Sequence, residues 1–375
     1  MQYRTFPKTG EKVSLLGFGT MRFPTLENGK INEQEAIRMI RTAIDSGINY
    51  VDTAYMYHNG ESEVVTGKAL KDGYRKKVLL ADKMPVWMAR DEKGMKQIFT
   101  NQLERLDDQV IDMYLVHNIT KQIWKRVLQF NTLEFLEQKR AEGKIKHIGF
   151  SFHDDFECFK EVVDAYPWDF CQIQLNYMDV NFQAGLEGLK YAAARGIPVI
   201  IMEPLKGGKL TDLLPESIEK YWAEADVKRT PAEWALRWVA DFPEVLTILS
   251  GMTTMEQLQE NIRILSQAEP NSLTEKEHKI IAKVSDEYNN LIKYSCTACR
   301  YCMPCPQRIE IPAVINLYNE WHLYNGNPKI KADFNMWVSP KARPSVCTSC
   351  NACQSHCPQG LPVSEIMQKA KEIFE

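Results

Sequence analysis

From residue 1 to about 285, short β-rich runs alternate with segments of helical periodicity, and this alternation restricts the chain to parallel β/α architectures. The strand candidates are Leu15–Gly19, Tyr50–Asp52, Val78–Lys83, Ile111–His117, Ile145–Ser151, Phe170–Asn176, Pro198–Glu203 and Val245–Ser250. Eight such runs at roughly 30 residues per unit fit a closed (β/α)8 TIM barrel, which is typically about 250 residues long. Helix starts between them are well marked. Asn32-Glu33-Gln34-Glu35 sets a capping-box pattern ahead of Ala36–Asp45, and Thr230-Pro231 puts proline at the first helical position before Ala232–Ala240. The rival arrangement is an open doubly wound sheet with a Gly-x-Gly-x-x-Gly turn after its first strand. Gly17-Phe18-Gly19-Thr20-Met21-Arg22 lacks the third glycine.

The remainder, 286–375, has a different composition. Eight of the ten cysteines fall there, as Cys296-x2-Cys299-x2-Cys302-x2-Cys305-Pro306 and Cys347-x2-Cys350-x2-Cys353-x3-Cys357-Pro358. This is the spacing of a protein that holds two 4Fe–4S clusters, with the last cysteine of each run ligating the other cluster. The expected ligand sets are Cys296, Cys299, Cys302 and Cys357 for one cluster, and Cys347, Cys350, Cys353 and Cys305 for the other. The first run is one residue shorter than the usual pattern, which makes Cys305 the less regular ligand. Zinc competes for paired Cys-x2-Cys units, but the gap between these runs is far longer than zinc sites use. Disulfides belong to secreted chains. The start MQYRTFPKTG carries no leader character, so a cytoplasmic location and reduced thiols are expected. Cys158 and Cys171, outside the runs, read as buried small hydrophobes.

At 375 residues two domains are expected: a barrel over 1–285 and a small, mostly α-helical, two-cluster ferredoxin-like domain over 286–375. In the second, Ile311–Tyr324 and Val363–Ile373 read as helices and Asn325–Pro344 as an irregular loop. A net charge of -3 gives no footprint for nucleic acid, and no run is apolar enough for a membrane span. The expected partners are small molecules and a ferredoxin-like or other redox protein.

A barrel carries its active site at the C-terminal ends of its strands. Asp52, Lys83 and His117 end the second, third and fourth candidates, and Tyr57 follows Asp52 in the adjoining loop. The segments Val51-Asp52-Thr53-Ala54-Tyr55-Met56-Tyr57, Val78-Leu79-Leu80 with Lys83, and Tyr114-Leu115-Val116-His117 resemble the aldo-keto reductases over the first 270 residues. The hydride reduction of a carbonyl that this resemblance implies creates an alkoxide that needs a proton. A Lys83 ammonium would lower the pKa of a Tyr57 hydroxyl toward that task, with Asp52 holding the lysine and His117 orienting the carbonyl oxygen. With its cysteine-rich end the chain is most similar to the subfamily with a C-terminal 4Fe–4S ferredoxin-type domain. The resemblance implies an NAD(P)H-dependent enzyme reducing an aldehyde or ketone, with Tyr57, Lys83, Asp52 and His117 as its catalytic tetrad.

It further implies NADPH or NADH held by Ser151 and Gln172 at the carboxamide, Met202 against the nicotinamide ring, and Pro204, Leu205, Gly207 and Gly208 near the pyrophosphate, with Lys206 and Lys209 alongside. Ser250, Gly251, Met252, Thr253, Gln257, Glu260 and Asn261 match the adenosine-phosphate loop and helix. That stretch offers no cation before Arg263, so weak discrimination against NADH is expected. Tyr55, Met56, Trp87, Trp124 and Phe152 read either as pocket walls, closed over by the cluster module near the barrel mouth, or as loop-anchoring core. A flavin between hydride and one-electron carriers has no sequence support. Three readings of the clusters stay open: a structural module on a working reductase, an electron relay to an external carrier, and a catalytically idle redox-partner protein.

Overall fold

The structure is a computed structural model, and it describes residues 1–211, 214–296, 302–357 and 359–375. Eight parallel strands close into a barrel in the order β10-β3-β4-β5-β6-β7-β8-β9. They are β3 (Leu16–Gly19), β4 (Tyr50–Asp52), β5 (Leu79–Met84), β6 (Ile111–Ile119), β7 (Ile145–Phe152), β8 (Phe170–Gln174), β9 (Val199–Met202) and β10 (Val245–Gly251). All eight anticipated strands are present, because nearly all of their residues are buried and most of the strands read as short apolar-rich runs. An antiparallel hairpin, β1 (Tyr3–Thr5) and β2 (Lys12–Ser14), precedes them. Phe6 and Val13 from this hairpin join Tyr50, Leu79, Met113, Leu115, Phe170 and Leu249 in one buried cluster. The hairpin thus plugs the barrel end where the strands begin and leaves the other end for chemistry.

Helix starts follow the expected capping. Asn32 Oδ1 accepts the Glu35 N–H at 3.3 Å ahead of Glu33–Asp45, and Thr230 Oγ1 accepts from Glu233 at 3.1 Å ahead of Pro231–Ala240. Gly149 in β7 is fixed by packing. A Cβ there would lie 2.6 Å from the ring of Phe170, which is fully buried inside the barrel. Gly149→Ala should therefore lower the unfolding free energy by about 1–3 kcal/mol, the usual range for overpacking. A denaturant titration matching wild type would show that the ring has room to move.

The chain divides into two compact units: Met1–Leu210 with Arg229–Thr274, and Thr211–Lys228 with Glu275–Glu375. The boundary anticipated at 285 falls inside the helix Glu275–Asn290, and 211–228, part of the stretch after β9, belongs with the second unit. Among the described residues the regular elements of that unit are all helical. Glu216–Trp222 meets Glu275–Asn290 through Tyr221 Oη to Glu287 at 3.2 Å, and just past its end Glu224 pairs with Lys283 at 2.6 Å. Asn325–Pro344 is not the irregular loop expected. Pro328–Trp337 is a helix, opened by Pro328 in its first turn and capped by Asn327, whose side chain accepts from Lys329 at 2.9 Å. Ile330 and Phe334 bury its inner face, and Phe334 stacks on Phe374 of the last helix, Val363–Phe374, at 4.6 Å. Of the residues that suggested a loop, Gly326 precedes this helix, Pro328 opens it, and Pro340 and Pro344 follow it, so none interrupts it. No helix among the described residues is long and apolar enough to cross a membrane.

Candidate active site

Successive residues of a strand alternate between barrel interior and helix layer, so Asp52 at the end of β4 and Lys83 in β5 can meet inside. The Lys83 ammonium donates to Asp52 Oδ1 at 2.6 Å and to the Thr53 carbonyl at 2.7 Å, with both side chains almost wholly out of water. Burial alone would discharge the lysine, but the Asp52 carboxylate beside it holds its pKa above the ordinary value. The Lys83 Nζ also stands 5.0 Å from the centre of the Tyr57 ring. The Tyr57 ring meets the His117 ring edge-on at 6.2 Å. All four tetrad candidates thus converge at the C-terminal end of the barrel.

The electrostatics correct one expectation. Burial raises the pKa of Tyr57 and outweighs the lowering by Lys83, while Asp52 adds to the rise. The hydroxyl is a held proton, and the ammonium's part is to stabilise the phenolate as it forms. Burial, Lys83 and His153 all push His117 well below the usual histidine value, so its ring is neutral. His117 Nδ1 has no protein partner. His153, half-buried, is pushed down to about 4 by desolvation and by the Lys83 charge.

The nucleotide candidates surround this point. Ser151 Oγ, at the top of β7, accepts the Asn118 N–H at 2.7 Å. Gln172 in β8 is 3% exposed and its Oε1 has no protein partner, which leaves a buried acceptor open to a ligand's donor. Met202 ends β9 with Pro204, Leu205, Gly207 and Gly208 following, and both glycines take positive φ, at 66° and 85°. At β10, Ser250 Oγ accepts from Asn261 at 3.0 Å, and Gln257 caps its helix by accepting from Thr253 and Thr254 at 2.8 and 3.3 Å. Gly251 and Thr253 are exposed, Met252 is buried, and Glu260 accepts from Thr230 at 2.7 Å. Lys206 departs from its expected role: its ammonium is committed to Asp179 at 2.7 and 2.9 Å. Arg263 is likewise bound to Glu233 at 2.9 Å.

One cation was not anticipated. The stem of Arg22 packs on Gly251, where a Cβ would meet three of its carbons at 3.1 Å, and its guanidinium reaches toward Gly207 and stands 3.6 Å from Glu203. Nothing in the sequence joins Arg22 to residues some 230 positions away. The parallel pairing of β3 with β10, Gly19 opposite Gly251, brings them together.

Of the proposed pocket walls, Trp87 stands 5.1 Å from the His117 ring, Met56 is exposed, and Tyr55 lies under Arg105 at 4.3 Å. Phe152 and Trp124 are core: Phe152 packs on Phe159 at 5.1 Å, and Trp124 donates to Glu161 at 3.0 Å beside Trp168. Cys158 and Cys171 are buried, as expected.

In the second unit, Cys299 lies outside the described residues. Among the described residues, no three His, Cys, Asp or Glu side chains converge on the small volume of a single metal ion. Burial raises the Cys353 pKa, and the nearby thiols of Cys305, Cys347 and Cys350 raise it further. Cys296, Cys302 and Cys357 are half-buried, whereas Cys350 is exposed.

A model of the aldo/keto reductase family matches residues 15–286. The NADH-specific methylglyoxal reductase of Escherichia coli is 28% identical over 64% of this chain and 85% of its own length. L-galactose dehydrogenase of Arabidopsis thaliana is 25% identical over 78% of this chain and 96% of its own. Among solved structures, an aldo-keto reductase from Bacillus halodurans in holo form superposes with TM-score 0.64 at 26% identity, over 76% of this chain and 96% of that one. An aldo/keto reductase from Klebsiella pneumoniae in complex with NADP and acetate does so with TM-score 0.62 at 26% identity, over the same shares. The barrel, the convergent side chains and a family match spanning most of the chain agree: this protein belongs to the aldo/keto reductase family, whose members are NAD(P)H-dependent oxidoreductases.

Proposed function

We propose that the protein reduces a small aldehyde or ketone to an alcohol, using NADH or NADPH, with Tyr57 as general acid. The observation that carries this reading is the buried Lys83–Asp52 pair at 2.6 Å beneath the Tyr57 ring. Bound reduced nicotinamide supplies a hydride to the carbonyl carbon. Tyr57 gives its hydroxyl proton to the oxygen as charge develops there, and regains one from solvent after the alcohol leaves. Lys83 stabilises the transient phenolate, Asp52 keeps Lys83 charged and in place, and neutral His117 orients the carbonyl oxygen. Gln172 and Ser151 fit the carboxamide, since one is a buried acceptor without a partner and the other is fixed by the Asn118 amide.

Nucleotide choice follows from the cations. Arg263 is held by Glu233, and Arg22 reaches along Gly251 and Gly207 toward the pyrophosphate position. No cation of the β10 loop and its helix is then left for a 2′-phosphate, and NADH should serve at least as well as NADPH. The E. coli relative described as NADH-specific supports this. Its stated substrate makes methylglyoxal the first aldehyde to try, and the Arabidopsis enzyme makes a sugar the second.

The cysteine-rich unit holds two 4Fe–4S clusters in this reading. The repeated Cys-x2-Cys-x2-Cys spacing of the two runs supports both sets of ligands, and the influence of Cys305, Cys347 and Cys350 on the Cys353 thiol fits the second. When bound, such clusters supply one-electron transfer and add folding free energy by ligation. The exposure of Cys350 also favours a second reading, in which a cluster near the surface exchanges electrons with a ferredoxin-like carrier.

The test is anaerobic mixing of protein of known iron and sulfide content with NADH or NADPH, with and without methylglyoxal. Nicotinamide and cluster absorbance are followed together. NADH consumption that requires the carbonyl and leaves the clusters oxidised is expected. Cluster bleaching by nucleotide alone would favour the electron-carrier reading. Protein lacking iron and sulfide would end the cluster assignment, and a strong preference for NADPH would end the reading of Arg22 and Arg263.

A further inference from the structure

Behind the catalytic lysine, on the helix side of β5, two carboxyl groups are buried together. Asp82 immediately precedes Lys83, so strand alternation points it away from Asp52 and into the layer between sheet and helices. Glu63, in the helix Glu61–Ala69, comes to the same spot, and both residues are 0% exposed. Each has one oxygen accounted for. Asp82 Oδ1 accepts the Lys83 backbone N–H at 2.8 Å, and Glu63 Oε2 accepts from Arg105 at 2.7 Å. The other oxygen of each, Asp82 Oδ2 and Glu63 Oε1, is buried without a donor, and the neighbouring Glu63 raises the Asp82 pKa.

Two ionised carboxylates cannot occupy a dry site at contact, and two orphan acceptors are satisfied at once if a single proton lies between them. Its owner is clear from the surroundings. Glu63 has the Arg105 guanidinium and the Gln102 side chain to support a negative charge, whereas Asp82 has one backbone amide. Burial and the neighbouring Glu63 push Asp82 well above the carboxylate range. Tyr114, from β6, faces the pair and stays neutral, its hydroxyl donating to Gln102 at 2.5 Å.

We propose that Asp82 and Glu63 share one proton and act as positioning residues for Lys83, keeping Asp82 neutral so that the ammonium answers to Asp52 alone and its remaining field falls on Tyr57. The same network grips the lysine's main chain on both sides. Asp82 takes its N–H, and Gln102 Nε2 donates to its carbonyl at 2.9 Å. Arg105 extends the network to the loop that carries Tyr57 by donating to the Tyr55 carbonyl at 3.1 Å. An ionised Asp82 would be a second carboxylate beside Lys83, and by drawing off its field would make the Tyr57 phenolate harder to form.

This inference rests on the roles given above to Tyr57 and Lys83, and the experiment separates the two. Infrared spectra of wild type should contain the C=O stretch of a buried protonated carboxyl, lost in Asp82→Asn. In turnover with NADH and methylglyoxal, Asp82→Asn mimics the neutral acid and should keep kcat close to wild type. Glu63→Gln removes the partner that keeps Asp82 protonated. It should lower kcat by about tenfold, the effect of roughly one pKa unit on Tyr57, with little change in nucleotide KM. The double variant Glu63→Gln/Asp82→Asn should recover kcat, because the second substitution removes the charge that the first released. A double variant no faster than Glu63→Gln, or equal losses of stability with kcat unchanged throughout, would overturn the proposal. So would a carboxyl band that survives in Asp82→Asn. Should Glu63→Gln not fold, the infrared comparison decides by itself. Should wild type turn nothing over, that counts against the proposed function, while the band still decides the shared proton.

Discussion

Replacing Tyr57 by Phe should lower kcat for carbonyl reduction by about 10²–10⁴-fold, the usual contribution of a positioned general acid. The ring that meets His117 at 6.2 Å is kept and only the hydroxyl is lost, so nucleotide affinity should stay near that of wild type. Stopped-flow hydride transfer and fluorescence titration with NADH separate the two effects. A variant that turned over normally would mean that the proton comes from elsewhere. The pH profile of wild type carries the same information with a definite sign. Tyr57 acts in its protonated form and burial raises its pKa, so the alkaline loss of kcat should fall above about 10, the ordinary tyrosine value. On the acid side His117, held neutral well below its usual value, should cause no loss until the pH is far under about 6.5.

Lys83→Met should cost more than activity. It leaves the Asp52 carboxylate, 3% exposed, without its cation, and an uncompensated buried charge of this kind destabilises by about 3–5 kcal/mol. The variant should melt markedly lower than wild type and show no measurable turnover. Adding Asp52→Leu removes the stranded charge and should recover much of the stability, yet turnover should stay absent, because no cation then supports the phenolate. Thermal unfolding of the two variants beside wild type checks this, and equal melting of single and double variants would mean that Asp52 escapes its burial by taking up a proton.

The barrel was legible because parallel strands covered on both faces must be continuous apolar runs, and the chain between them must form amphipathic helices. The ends of β4, β5 and β6 carried Asp52, Lys83 and His117 in plain view for the same reason: a strand end at the mouth is a poor place for a charge unless something uses it. Capping residues such as Asn32 and Thr230 act within one helical turn, and they stood where the sequence put them. The helix Pro328–Trp337 was missed because a proline opens a helix as readily as it ends one, and only the burial of Ile330 and Phe334 against the last helix decides between the two. Phe152 and Trp124 were ambiguous on hydrophobicity alone and proved to be core.

The sequence by itself determined the order of elements, the four side chains at the mouth and the two cysteine runs, since each depends on spacing along the chain and on local chemistry. Only the tertiary structure decided which distant groups meet. Barrel closure lays Arg22 along Gly251, and folding takes the carboxyls of Glu63 and Asp82 wholly out of water. Charge state belongs to this second class. Whether a carboxyl is an anion, a hydrogen-bond donor or half of a shared proton depends on the water it has lost and the charges beside it, and neither is a property of the residue's position in the chain.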